Sequence, residues 1–212
     1  DMTSSRGLGD VYKRQCESIL HNTGIDLEVI SGKEEAKLIF SNFHLSSIDL
    51  EKNYIFIDVG GGSTELSLIQ NNVKTSSKSF NIGSVRYLSG NEAEKVKIQM
   101  KSWLNDNYSK NEEISAIGTG GSINKLYNLS KHNFDQPMTY KSLNEIIKYI
   151  SSFSYEDRIR VLKLKPDRAD VIVPSGEIYK MVMSSTGANQ IIVPKVGLSD
   201  GIIYNLFLQK EL

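Results

Sequence analysis

Between Asp58 and Glu65 the chain reads DVGGGSTE, which sets two carboxylates, two hydroxyls and three successive glycines between stretches that otherwise read as strands, YIFIDV and TELSLI. Phosphate chemistry suits such a string. A loop that cradles phosphate must bring its own backbone close to the oxygens, so side chains are in the way, and glycine also allows the positive φ that turns successive N–H groups toward one anion. Gly60, Gly61 and Gly62 would form this nest, and Ser63 and Thr64 add hydroxyls. Asp58 and Glu65 put carboxylates at its rim, where they suit Mg²⁺ or another hard divalent cation that bridges to phosphate through its waters. The plainer alternative is a hairpin whose glycines only satisfy a tight turn. The whole D-x-G-G-G-S-T-E string favours the anion reading.

A second glycine turn follows at GTGGS, with Gly118, Gly120 and Gly121 leading into Ser122 and a helical pattern. The first amides of that helix and the Ser122 hydroxyl can hold another anion. Close packing of a helix entry on a strand is an equal alternative. Neither glycine cluster continues into the lysine–hydroxyl pair of a P-loop. A dinucleotide fingerprint also fits poorly, because Ile123 stands where its third glycine belongs.

The composition narrows the classes of partner. The 212 residues are 39% hydrophobic and carry 25 basic and 25 acidic side chains. The length suits one large or two small domains, and the charge balance offers no bulk basic field for DNA, RNA or an anionic membrane. No apolar run approaches the roughly 20 residues of a membrane span. Cys16 is the only cysteine, which excludes an internal disulfide and makes a reducing, cytoplasmic location the expectation. His21, His44 and His132 lack the close spacing of a zinc site.

The elements that must carry these loops alternate. The first fifteen residues, DMTSSRGLGDVYKRQ, show no clear period and read as a non-native leader. CESILHNTG suits a helix end with Gly24 at its C-terminus, DLEVI a strand, and SGKEEAKLIFSNF a helix with Ser31 as N-cap and Glu34 in capping-box position. After the glycine hairpin come a polar helix over 92–107, the buried strand EISAIG and a helix from the second glycine turn. Helices are expected over 142–152, 155–162 and a long apolar stretch from Ala169 to Ser185, followed by the strand QIIVP and the segment GLSDGIIYNLFLQ. Strands alternating with helices predict an α/β fold with a mixed sheet.

Six segments, IDLEVISGKEEAKLIF, IFIDVGGGSTEL, NIGSVRYL, AIGTGGSINKL, LKPDRADVIVPSGEIY and VGLSDGIIYNL, stand in the order and spacing of the exopolyphosphatase and guanosine pentaphosphate phosphohydrolase (Ppx/GppA) family. The chain from Glu17 onward resembles that family closely. Ser175 stands where a glycine is usual, and Asp200 is the acid left in GLSDG. The resemblance implies a ribonuclease-H-like domain of the actin, sugar-kinase and chaperone-ATPase superfamily. It makes residues 16–212 the second such domain of a family member, the first being largely missing together with its own D-x-G-S-N-S hairpin.

The resemblance further implies hydrolysis of a terminal phosphoanhydride of inorganic polyphosphate or guanosine pentaphosphate, with Mg²⁺ as cofactor. Glu35 matches the family's catalytic carboxylate, and on that basis it is the expected base or water-orienting group; from the residues alone it reads as an exposed helix acid. Asp58 and Glu65 match the metal-associated acids, and 60–64 and 118–122 the two phosphate loops. Arg86 and Arg168 are weaker candidates for substrate phosphates. A homodimer is compatible with the resemblance. The alternatives are an alarmone-binding sensor without turnover and an ATPase or phosphotransferase of the same superfamily.

Overall fold

The computed structural model describes residues 4–27, 49, 51–88, 91–108, 112–130 and 136–194. Glu34, Glu35, Ser31, Asp200 and most of the expected DLEVI strand lie outside them. The first helix, α1, runs Ser4–Thr23, and Gly24 closes it at φ 72 with its amide on the Leu20 carbonyl at 2.9 Å. It therefore continues back through residues that show no helical period in the sequence.

The glycine hairpin is formed by β1 (Asn53–Val59) and β2 (Thr64–Gln70), paired antiparallel with Val59 opposite Thr64 and Asp58 opposite Glu65. Their alternation divides the sheet's two faces. Ile55, Ile57, Val59, Leu66 and Leu68 turn into the main core, whereas Tyr54, Ile69, Ile117 and Ile192 form a second cluster with Phe56. A strand absent from the sequence reading, β3 (Val73–Phe80), adds to β2 through a two-residue turn at Asn71 and Asn72, both at positive φ. That geometry is the mirror-image turn that suits a twisted hairpin and that asparagine tolerates. Its sequence, VKTSSKSF, hides it: as the outer strand it needs few apolar side chains.

Beyond a single 3-10 turn at Arg86–Leu88 comes α2 (Asn91–Asn107), then β4 (Ile114–Thr119) and α3 (Gly121–Leu129). A short β5 (Met138–Thr139) enters α4 (Tyr140–Ser151), where Thr139 caps the Ser142 amide and Leu143, Ile146, Ile147 and Ile150 form one buried stripe. After α5 (Tyr155–Arg160) comes a short α6 (Pro166–Ala169) that the sequence reading did not separate, and the helix expected from Ala169 begins three residues later as α7 (Ile172–Thr186). The break falls at Asp170 and Val171. It sets Pro174 in the first turn of α7, where the missing N–H has no helical acceptor to lose. The last strand is β6 (Gln190–Ile192).

The sheet of described strands has the order β3-β2-β1-β4-β6-β5, with β1, β4 and β6 parallel and the others antiparallel to their neighbours. Helix α7 packs on α4 at Gly176, where a Cβ would come within 2.7 Å of Ile147 Cγ1. No helix among the described residues is long and apolar enough to cross a membrane.

Next to Gly176, the fully buried Ser175 hydroxyl has no hydrogen-bond partner among the described residues. Burying an unpaired hydroxyl costs about 1–3 kcal/mol. Ser175→Ala should therefore raise the urea midpoint, by a free energy of about 1 kcal/mol; an unchanged or lower midpoint would mean that the hydroxyl is satisfied in solution.

Candidate phosphate site

Parallel pairing of β1 with β4 brings Asp58 beside Thr119, so the two strands end together and their glycine loops leave the sheet side by side. Between the loops lies a cleft of about 400 Å³ lined by Asp58, Gly60, Gly61, Gly120, Gly121, Ser122 and Arg168, together with Ser84, Val85 and Asp167.

The hairpin is held from behind. The amides of Ser84 and Val85 donate to the carbonyls of Gly60 and Gly61, each at 2.9 Å, and the Ser84 hydroxyl adds a 3.3 Å contact to the first. In a trans peptide the N–H points opposite to the C=O. Drawing those two carbonyls toward 84–85 therefore turns the Gly61 and Gly62 amides the other way. Among the described residues the amides of Gly61, Gly62 and Ser63 meet no backbone acceptor, while that of Gly60 donates to the Ser63 carbonyl. None of Gly60, Gly61 and Gly62 has positive φ, which corrects one reason given above for them. The tightest steric demand falls on Gly83, whose Cβ would lie 2.5 Å from the Gly61 oxygen and 2.6 Å from that of Gly60.

Positive φ appears in the second loop, at Gly120 (φ 105). A Cβ there would crowd Asp58 Oδ1 at 3.3 Å. As the N-cap of α3, Gly120 supplies no side-chain cap, and the first amides of the helix remain available to an anion. The Arg168 guanidinium lies over this helix start, with one nitrogen 3.0 Å from the Cβ position of Gly121. A cation at the positive end of a helix is unfavourably placed, and an anion bound between them relieves both. Asp167 approaches Arg168 only at 3.7 Å, with both side chains substantially exposed.

Other expected residues lie elsewhere. The Thr64 side chain is fully buried and its hydroxyl donates to the Ile82 carbonyl at 2.6 Å, so it serves the fold behind the hairpin instead of facing the cleft. Gly118 is buried, with its Cβ position 2.7 Å from Ile191 Cδ1, and packing accounts for it. Gly62 and Ser63 are at the hairpin tip outside the cleft lining, where the Arg86 guanidinium carbon lies 3.6 Å from the Cβ position of Gly62. Arg86 also reaches Asn81 Oδ1 at 3.5 Å. The sequence reading did not single out Gly83, Ser84, Thr119 or Tyr179; the glycine of NIGSV was the one local signal.

Asp58 and Glu65 are directly opposed across the hairpin and so share a face of the sheet, and both are exposed. Like charges so opposed repel, and a cation between them removes the penalty. Two hard oxygen ligands, with waters and phosphate completing the shell, fit the way Mg²⁺ is usually held. No group of three or more His, Cys, Asp or Glu able to hold a metal occurs among the described residues.

The family model described as the Ppx/GppA phosphatase family matches residues 15–210. The chain belongs to that family. Among relatives, it is 28% identical over 202 residues to a bifunctional 3-dehydroquinate synthase/phosphatase of Fusobacterium nucleatum, covering 84% of this chain and 30% of the relative. It is 24% identical to a putative exopolyphosphatase of Haemophilus influenzae, over 85% of this chain and 60% of the relative. With a guanosine-5'-triphosphate,3'-diphosphate pyrophosphatase of Pseudoalteromonas translucida the identity is 26%, over 93% and 41%. The chain thus spans less than two thirds of the length of each of these proteins. The crystal structure of the Aquifex aeolicus Ppx/GppA family member superposes with a TM-score of 0.64 at 20% identity, covering 94% of this chain and 70% of that one. The fold is therefore that of the actin-like ATPases.

Desolvation at the edge of the cleft raises the Asp58 pKa above the ordinary carboxylate value, against a hydrogen bond from the Thr119 side chain that lowers it. Folded Asp58 therefore keeps its proton to higher pH than unfolded Asp58, and its ionisation destabilises the fold as pH rises past the unfolded value. Asp58→Asn should stabilise the metal-free protein at pH 7 and leave its stability unchanged at a pH below the unfolded carboxylate pKa. Urea melts at the two pH values check this; an equal gain at both would contradict the raised pKa.

Proposed function

We propose that this chain acts in the hydrolysis of the terminal phosphoanhydride bond of inorganic polyphosphate, of guanosine pentaphosphate, or of both, releasing orthophosphate. The observation that carries the reading is the convergence of two glycine loops, an arginine and a carboxylate on one cleft. Family membership narrows the reaction class to phosphate release. One relative named for exopolyphosphate cleavage and another for a guanosine pentaphosphate support the two substrates.

The division of labour follows from the chemistry of phosphoryl transfer, which asks mainly for positioning and charge neutralisation. Amides of the hairpin and of the start of α3 bind the phosphoryl oxygens, and Arg168 offsets their charge. Asp58 and Glu65 would hold Mg²⁺, which supplies further neutralisation of the phosphates when bound. Glu35, outside the described residues, is the expected base: it accepts the proton of water as the water oxygen attacks the terminal phosphorus and the anhydride oxygen leaves with its bonding pair. In two-lobed phosphotransfer folds the substrate lies between lobes, so this chain supplies one set of donors and a partner lobe the other.

Two outcomes test this. In the chain joined to a family N-terminal domain, Glu35→Gln should lower phosphate release from polyphosphate or pentaphosphate by about two to four decades while substrate binding survives. The chain by itself should release phosphate negligibly. Unchanged turnover in the glutamine variant would remove Glu35 from the mechanism, and full turnover by the single chain would show that one lobe suffices. Binding of substrate by the joined protein without any turnover would favour the sensor alternative.

A further inference from the structure

We propose that Tyr179 is a positioning residue for the phosphate site: its buried hydroxyl, donating to the Thr119 carbonyl at 2.5 Å, fixes the second glycine loop against Asp58. The inference rests on the functional reading above and extends it to a residue of α7 that does not line the cleft.

Tyr179 is completely buried, on a helix that packs against β1 and β4. A phenol in such surroundings must find an acceptor for its O–H. The acceptor it finds is the last carbonyl of β4, immediately before Gly120 at φ 105. The ring reaches that carbonyl through space left by glycine, since Tyr179 Cε1 lies 3.3 Å from the Cβ position of Gly118. Its hydroxyl oxygen is 3.8 Å from the Cβ position of Gly120, which in turn is 3.3 Å from Asp58 Oδ1. Phenol, loop backbone and carboxylate are thus in near-contact.

The link to Asp58 continues through Thr119. The two residues are partners in the parallel ladder, which sets their side chains on one face of the sheet, and the Thr119 hydroxyl beside the Asp58 carboxylate lowers its pKa against the effect of burial. A β-branched side chain has little χ1 freedom, so fixing the Thr119 backbone also aims its hydroxyl. Burial, together with the negative charge of Asp58, holds the Tyr179 pKa far above the usual tyrosine value. The phenol is therefore a permanent donor and takes no part as an acid or base. A side chain needed only to fill the core here could be phenylalanine; the hydroxyl is what ties loop to carboxylate.

The test compares wild type, Tyr179→Phe and Thr119→Val by NMR-detected titration with tripolyphosphate, in the presence and absence of Mg²⁺, beside thermal melts. Loss of the link should weaken affinity in Mg²⁺ about tenfold, the worth of one well-placed hydrogen bond. Without Mg²⁺ the loss should stay below about threefold, because Asp58 acts chiefly through the cation. Thr119→Val cuts the same link from the other side, so it should reproduce the pattern and remains informative if the phenylalanine variant fails to fold. In the double variant the losses should not add. Wild-type affinity in both variants would overturn the proposal. So would an equal loss with and without Mg²⁺, which marks general loosening of the fold. If wild type itself bound no tripolyphosphate under either condition, the phosphate-site reading would fall and this inference with it.

Discussion

The site depends on the parallel register of β1 and β4. Antiparallel neighbours would send their following loops to opposite edges of the sheet, whereas the ladder between these two strands ends at the rung that pairs Asp58 with Thr119. Everything that converges on the cleft follows from that pairing: the triple-glycine hairpin, the uncapped start of α3, and the arginine of the short α6 that lies over it. Ligands of α/β sheets gather at the carboxyl ends of parallel strands for this reason.

Around that rung the protein uses backbone atoms more than side chains. The peptides of 60–62 are oriented by hydrogen bonds from Ser84 and Val85, and the end of β4 by a tyrosine hydroxyl. Such bonds cost little conformational entropy, because the groups they fix belong to strand ends that the sheet already holds. The donors are then preorganised for an anion before it arrives, which is where electrostatic stabilisation of a charged transition state is most effective.

The parts legible in the sequence are those written in local pattern. The hairpin with its carboxylates, the glycine turn into a helix, the helix α4 and the largely buried β4 each follow from residues close together in the chain. What escaped is set by distance along the chain. Gly83 is required because two carbonyls pass beneath it, and its neighbour Ser84 meets Gly60 across 24 residues. Tyr179 meets Thr119 across 60. Thr64 read as an anion ligand because of its place in the motif, but strand alternation turns its side chain to the buried face. The polar β3 was missed because an outer strand need not alternate. The short α6, which carries Arg168 over the cleft, has only four residues and too little apolar pattern to be read apart from the stretch that follows it.

That same outer strand bears on how the domain behaves at high concentration. A sheet with one open side is a template on which another chain can extend the ladder, and a flat, apolar border would invite it. Here the border is made of threonine, serines and the charged Lys74 and Lys78, solvated over most of its length, with a register shift in the neighbouring strand between Leu68 and Ile69. Adding a foreign strand would desolvate those ammonium groups and would have to follow an irregular ladder. The polar composition that hid β3 from a pattern reading is therefore also a barrier to intermolecular strand pairing at this outer strand of the described sheet.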